Sequence, residues 1–106
     1  MRRVMVRYTV KPGRAAENEE LVRAVYDELQ STGPAGLRYA TFQLDDGVSF
    51  VHLASVETED GHNPLSDVKA FARFQQGIGE RCERPPVATE LREVGSFRFF
   101  GDQSER

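Results

Sequence analysis

The sequence predicts a single α+β domain whose elements run β-α-β-β-α-β. Three observations predict it. Arg3 to Val10 alternates apolar and polar residues with a period of two. Two longer stretches, from about Arg14 to Ser31 and from Asn63 to Ile78, repeat apolar residues at helical spacing. Gly36 to Leu44, Val48 to Val56 and Val87 to Phe100 are extended segments rich in β-formers. The 106 residues suffice for one core, and no repeat or low-complexity linker divides them. The expected organisation is one domain over 1–106, with residues 101–106 as a loose polar tail.

The first strand places Val4, Val6, Tyr8 and Val10 on one face and Arg3, Met5, Arg7 and Thr9 on the other. Pro12-Gly13 ends it. In the first helix Leu21, Val22, Val25 and Leu29 form the apolar stripe, with Asn18 one turn earlier. Glu17, Glu19 and Glu20 occupy the early turns, where the helix dipole favours negative charge, and Gly33-Pro34 stops the helix. Asp45-Asp46-Gly47 reads as a three-residue hairpin loop between the next two strands. If Leu44 faces Val48, then Phe42 faces Phe50, Ala40 faces His52 and Arg38 faces Ala54. Asn63 is a good N-cap and Pro64 fits the first helical position. The second helix carries Leu65, Val68, Phe71, Ala72 and Ile78 as its stripe, with Phe74 at the edge. Gly77 and Gly79 weaken its end and Pro85-Pro86 blocks its continuation. In the last strand Gly95 suggests a bulge or bend.

This order is the ferredoxin-like arrangement, an antiparallel sheet with both helices on one face. Apolar residues fall on both faces of the predicted hairpin, whereas a one-sided sheet shows one polar face. The second face therefore needs a partner, and a second copy of the sheet is the simplest one. A homodimer joined through the sheet faces is expected.

Composition narrows the function classes. The 14 Lys and Arg against 17 Asp and Glu give a net charge of −3, which excludes a generally basic nucleic-acid binder. Arg2, Arg3, Arg7, Lys11 and Arg14 precede the first acid, but they spread over strand and loop and read as a solvated edge or dimer contact. No apolar run approaches the ~20 residues of a membrane span, and Met1 to Arg7 lacks a secretory signal's apolar core. A cytoplasmic protein is the expectation. The single cysteine, Cys82, excludes an internal disulfide framework; its neighbouring arginines and glutamates oppose each other's effect on the thiol. His52, His62 and Cys82 lack paired ligand spacing, so no metal is expected. No glycine-rich phosphate loop or nucleophile elbow occurs, so no nucleotide cofactor is expected either.

The element order, the hairpin segment Phe42-Gln43-Leu44-Asp45-Asp46-Gly47-Val48-Ser49-Phe50-Val51 and the helix segment Ala70-Phe71-Ala72-Arg73-Phe74 resemble the dimeric α/β-barrel superfamily. Within it the chain is most similar to the antibiotic biosynthesis monooxygenase-like family, from about Arg3 to Phe100. The resemblance implies cofactor-independent oxygenation of a phenol or hydroquinone bound between sheet and helices. The sequence departs from the family at several positions. Where many members carry an acidic residue and a Trp on the third strand, this chain has Ala54 and Val56; where many carry a His early in the second helix, it has Leu65. The Trp, His and Asn set of the haem-degrading branch has no match.

His52 is the leading catalytic candidate. It sits mid-strand on a face that should be buried, and an ordinary imidazole pKa of ~6.5 suits it to take a proton from a phenol. The alternative is a half-buried histidine bonded to a helix or to the dimer partner. Phe42, Phe50, Phe71 and Phe74 are the expected aromatic walls for a small ligand. Arg38 is a candidate anion clamp, with Arg7 and Arg98 behind it; the competing reading is a subunit-bridging ion pair with a glutamate such as Glu93. His62, in the loop Asp60-Gly61-His62-Asn63-Pro64, is a candidate substrate contact. Three functions follow: a cofactor-independent monooxygenase acting on a small aromatic, phenolic or quinol-like compound, a non-catalytic binder of such a compound, and a structural homodimer.

Overall fold

The computed structural model describes residues 1–100; the expected tail at 101–106 lies outside the described residues. Four strands, β1 (Arg2–Val10), β2 (Leu37–Gln43), β3 (Ser49–Val56) and β4 (Cys82–Leu91), form one antiparallel sheet in the order β2-β3-β1-β4. Helix α1 (Ala15–Thr32) and the short helices α2 (Lys69–Gln76) and α3 (Ile78–Arg81) complete the ferredoxin-like α+β fold.

Alternation in β1 puts Tyr8 and Val10 into the core, where they meet Val22 and Val25 of α1, Phe50 of β3 and Phe74 of α2. Helix α1 ends as expected: Gly33 takes φ of 55° and donates its N–H to the Leu29 carbonyl at 2.8 Å. Its Glu28 has a second task. The Glu28 carboxylate accepts the N–H groups of Lys69 and Ala70 at 3.0 and 2.8 Å, and so caps α2, whose own cap position is Val68. These two bonds hold the carboxyl below its usual pKa and tie α2 to α1.

The β2–β3 register differs from the expected one by a single residue. Thr41 faces His52, Phe42 faces Val51 and Tyr39 faces Ala54. The cause is Asp46. Its carboxylate accepts the N–H groups of Val48 and Ser49 at 2.9 and 2.8 Å and the Ser49 hydroxyl at 2.6 Å. Val48 is thereby held in the turn, and the strand starts at Ser49. A one-residue slip moves every side chain of β2 to the opposite face. Leu37, Tyr39, Thr41 and Gln43 thus share the helix side with His52, Phe50, Ala54 and Val56. Arg38, Ala40 and Phe42 share the open side with Val51, Leu53, Met5 and Arg7.

The second helical segment is broken rather than continuous. Asn63 does cap it, its side chain accepting the Leu65 N–H at 3.0 Å, but the first turn is a 3₁₀ turn over Pro64–Asp67. Val68 is extended, with φ −90° and ψ 115°, and α2 starts afresh after it. The break rotates the stripe: Phe74 is buried and Ala72 is exposed, the reverse of the expected order. The last strand also begins earlier than expected. It runs through Pro85-Pro86, which an edge strand tolerates, with a register shift against β1 between Arg7 and Thr9. Residues 92–100, expected to be strand, form no strand and pass over the open face, where Phe100 lies 4.1 Å under the Arg3 guanidinium.

Candidate functional site

A cavity of about 340 Å³ opens between the helix side of the sheet and the segment from Asn63 to Ile78. Val6, Ala54, Leu65, Phe71, Phe74 and Ile78 make its walls apolar, and Arg2, Asn63 and Gln75 stand among its polar lining. Three more lining residues, Tyr8, Tyr39 and His52, supply polar groups from three adjacent strands. The even-numbered alternation of β1 and β3 and the odd-numbered one of β2 put all three on this face.

His52 is 5% exposed, and both ring nitrogens are engaged. Nε2 lies 2.8 Å from the Tyr8 hydroxyl; Nδ1 lies 2.6 Å from the Tyr39 hydroxyl and 3.2 Å from Thr41 Oγ1. The chain of bonds continues in both directions. Asn18 donates its Nδ2 to the Tyr8 oxygen at 2.8 Å and accepts Arg81 Nε at 3.1 Å. Arg81 also donates Nη2 to the Phe74 carbonyl at 2.8 Å. On the other side the Tyr26 hydroxyl meets Thr41 Oγ1 at 2.8 Å. Among the described residues no buried side-chain nitrogen or oxygen lacks a partner.

Burial governs the protonation of this set. It pushes the His52 imidazole down to about 4, because among the described residues no charged partner repays the loss of water around an imidazolium. It pushes the Tyr8 phenol up to about 12 and raises the Tyr39 and Tyr26 phenols as well. At neutral pH the imidazole and the phenols are uncharged. The imidazole thus departs from the ordinary histidine pKa read from the sequence: burial lowers it, and both ring nitrogens are within hydrogen-bond distance of hydroxyl groups. Rings pack around it, with Phe74 at 5.3 Å and Tyr8 at 5.3 Å between centroids.

Of the other residues singled out in the sequence, Phe71 and Phe74 line the cavity with His52. Phe50 lies behind it, stacked on Tyr8 at 5.6 Å. Arg38 and Phe42 do not reach it, because the register carries them to the open face. There they border a separate recess of about 340 Å³ with Arg3, Leu53 and Phe99. Arg38 pairs with Glu57 at 3.3 Å and donates to the Phe100 carbonyl at 3.0 Å. Glu93, the proposed partner of the strand arginines, pairs with Arg3, and Arg98 lies over Phe97. Arg7 is exposed on the open face. His62 is exposed in its loop and pairs with Asp67 at 2.7 Å, a contact that raises its pKa. Cys82 is buried, and burial raises its thiol. Among the described residues no three His, Cys, Asp or Glu side chains group as metal ligands.

Sequence reasoning passed over Tyr8, Tyr39, Thr41, Tyr26 and Arg81. One signal was visible: Asn18 lies in line with the apolar stripe of α1, and an asparagine buried there must find partners.

No family model matches this sequence, and no curated protein matches it. Solved structures do match it. A crystal structure of an antibiotic biosynthesis monooxygenase superposes with a TM-score of 0.71 at 18% identity, covering 90% of this chain and 100% of that one. A Nitrosomonas europaea protein provisionally named for the same activity gives 0.73 at 18% identity, with the same coverage. The fold is that of the antibiotic biosynthesis monooxygenase-like proteins. The protein PA3566 from Pseudomonas aeruginosa gives 0.71 at 20% identity, covering 89% of this chain and 94% of that one. Another neighbour of the same fold, from Nitrosomonas europaea, is described as of unknown function. At these identities the likeness is one of fold, and the activities in those names belong to those proteins.

Proposed function

We propose that this protein is a monooxygenase-like barrel that binds a flat aromatic, phenolic or quinol-like molecule in the cavity beside His52 and oxygenates it without a bound cofactor. The observation that carries the reading is the cavity itself: apolar and aromatic walls, with Tyr8 and Tyr39, whose hydroxyl groups are fixed on the buried His52 imidazole, among its lining. Such a site sequesters an electron-rich ring from water and presents polar atoms to its oxygen substituent. For a quinol the reaction balances with O₂ alone. One oxygen atom enters the ring, the other leaves as water, and the substrate gives up the two hydrogens and all the electrons that this requires.

Oxygen uptake by the purified protein, measured against a panel of hydroquinones and polyphenols, is expected to exceed the autoxidation blank. Val6→Phe, which fills the cavity from its wall, is expected to abolish the excess while leaving the circular dichroism unchanged. Uptake equal to the blank for compounds that do bind would overturn the catalytic reading. The second reading, binding without turnover, draws its support from His52, whose nitrogens are committed and whose pKa lies far below neutrality.

The assembly we propose is a homodimer through the open sheet face, as proteins of this fold are generally dimeric. That face carries Met5, Val51 and Leu53 together with Phe42 and Val87, which are 51% and 61% exposed. Sedimentation at micromolar concentration is expected to give a dimer, and Phe42→Asp a monomer. A monomeric parent protein would remove this proposal. Among the described residues no helix is long and apolar enough to cross a membrane.

A further inference from the structure

The bonds around His52 have a direction, and Arg81 sets it. A guanidinium has donors only, so the Asn18 atom facing it is the amide oxygen. The Asn18 amide nitrogen then faces Tyr8, and that oxygen accepts. The Tyr8 proton is left with one partner, His52 Nε2, which is consequently the unprotonated nitrogen. A neutral imidazole carries its proton on the other nitrogen, so Nδ1–H donates to the Tyr39 oxygen at 2.6 Å. The Tyr39 proton remains. Its hydrogen-bond partner in the empty site is Thr41, whose hydroxyl also meets Tyr26 at 2.8 Å.

We infer that Arg81 and Asn18 are positioning residues that fix His52 as its Nδ1–H tautomer, so that Tyr39 offers the cavity a hydrogen-bond donor rather than a base. The ligand class follows. The molecule held here presents an acceptor oxygen, an aryl carbonyl or an ionised phenolate, to Tyr39, and a neutral phenol is the poorer fit. This part rests on the proposed small-molecule site; the tautomer does not. A donor aimed at a developing oxyanion is also the polar group that an oxygenation of an electron-rich ring can use.

Two measurements separate the claims. Long-range proton–nitrogen correlation spectra of the histidine rings are expected to show His52 as Nδ1–H. In Asn18→Asp the carboxylate still accepts from Arg81 but now also accepts the hydrogen bond that the Tyr8 hydroxyl donates, so the Tyr8 oxygen must accept from His52 and the ring is expected to switch to Nε2–H. An Nε2–H parent, or a folded Asn18→Asp with an unchanged tautomer, would overturn the inference. The parent spectrum decides it even if the variant fails to fold. For the ligand class, binding of 1-tetralone is compared with that of tetralin, its hydrocarbon. Tyr39→Phe is expected to weaken the ketone about tenfold, the worth of one hydrogen bond, and to leave tetralin within about twofold. Equal effects on both would overturn the donor assignment. Failure of both to bind the parent would instead count against the proposed site, while the tautomer spectra still decide the direction of the chain.

Discussion

Asn18→Leu is expected to lower the unfolding free energy by about 4 kcal/mol, the larger of two effects that the buried polar chain predicts. Asn18 is fully buried, and its side chain is the joint between Arg81 and Tyr8. Leucine has similar size, so the change leaves little cavity. It removes the acceptor of Arg81 Nε and the donor to the Tyr8 oxygen at once. Arg81 is only 2% exposed, and no carboxylate lies within ion-pair distance of it among the described residues. Its charge is held by neutral groups: the Asn18 oxygen, the Phe74 carbonyl and the Phe74 ring at 5.2 Å. An orphaned donor on a buried cation costs more than an ordinary lost hydrogen bond. The measurement is urea unfolding at one fixed protein concentration, with an unchanged slope against denaturant showing that the folded state is intact. A companion variant sharpens it. Adding Arg81→Met to Asn18→Leu removes the stranded charge, so the double variant is expected to be more stable than Asn18→Leu alone. Purely additive losses would contradict this account.

The sequence makes the order of elements legible because β1 and α1 each carry a strong period. Val4, Val6, Tyr8 and Val10 can face only one way, and Val22 and Val25 must meet them. The pattern is silent where one side chain overrules it. Asp46 reads as a turn residue, but its capture of two backbone N–H groups lengthens the loop by one residue and exchanges the faces of β2. That exchange removes Arg38 and Phe42 from the site and brings in Tyr39 and Thr41. Val68 belongs to the apolar stripe by spacing, yet its extended backbone breaks the helix, since the Glu28 carboxylate caps a new start at Lys69. Pro85-Pro86 ends a helix in any reading; only the edge position of β4 lets the same pair lie within a strand. His52 was visible as an odd residue on a buried face. Its chemistry was not, because the pKa of an imidazole depends on neighbours that come from three other segments of the chain.

His52 makes the stability of this fold depend on pH in a definite window. The folded imidazole titrates near 4, while an imidazole in the unfolded chain titrates near ~6.5. Above that higher value both states are neutral and the group costs nothing. As the pH falls below it, the unfolded chain takes up a proton that the folded protein refuses, and stability drops by about 1.4 kcal/mol for each pH unit. The loss is complete near pH 4, at about 3 kcal/mol. Among the described residues no acid pairs with the ring to soften this: its neighbours are Tyr8, Tyr39, Thr41 and Phe74. His62 acts in the opposite sense, since Asp67 raises its pKa and the pair gains as pH falls through the ordinary histidine range. The parent curve therefore contains both histidines. Comparing the parent with His52→Gln isolates the buried one, because His62 is common to both proteins. Between pH 7 and 5, above the range of the carboxylates, the parent is expected to lose about 2 kcal/mol more than the variant in urea unfolding. Parallel curves would mean that the ring is protonated in the folded protein at pH 5, and the neutral chain from Arg81 to Tyr39 could not then stand as described.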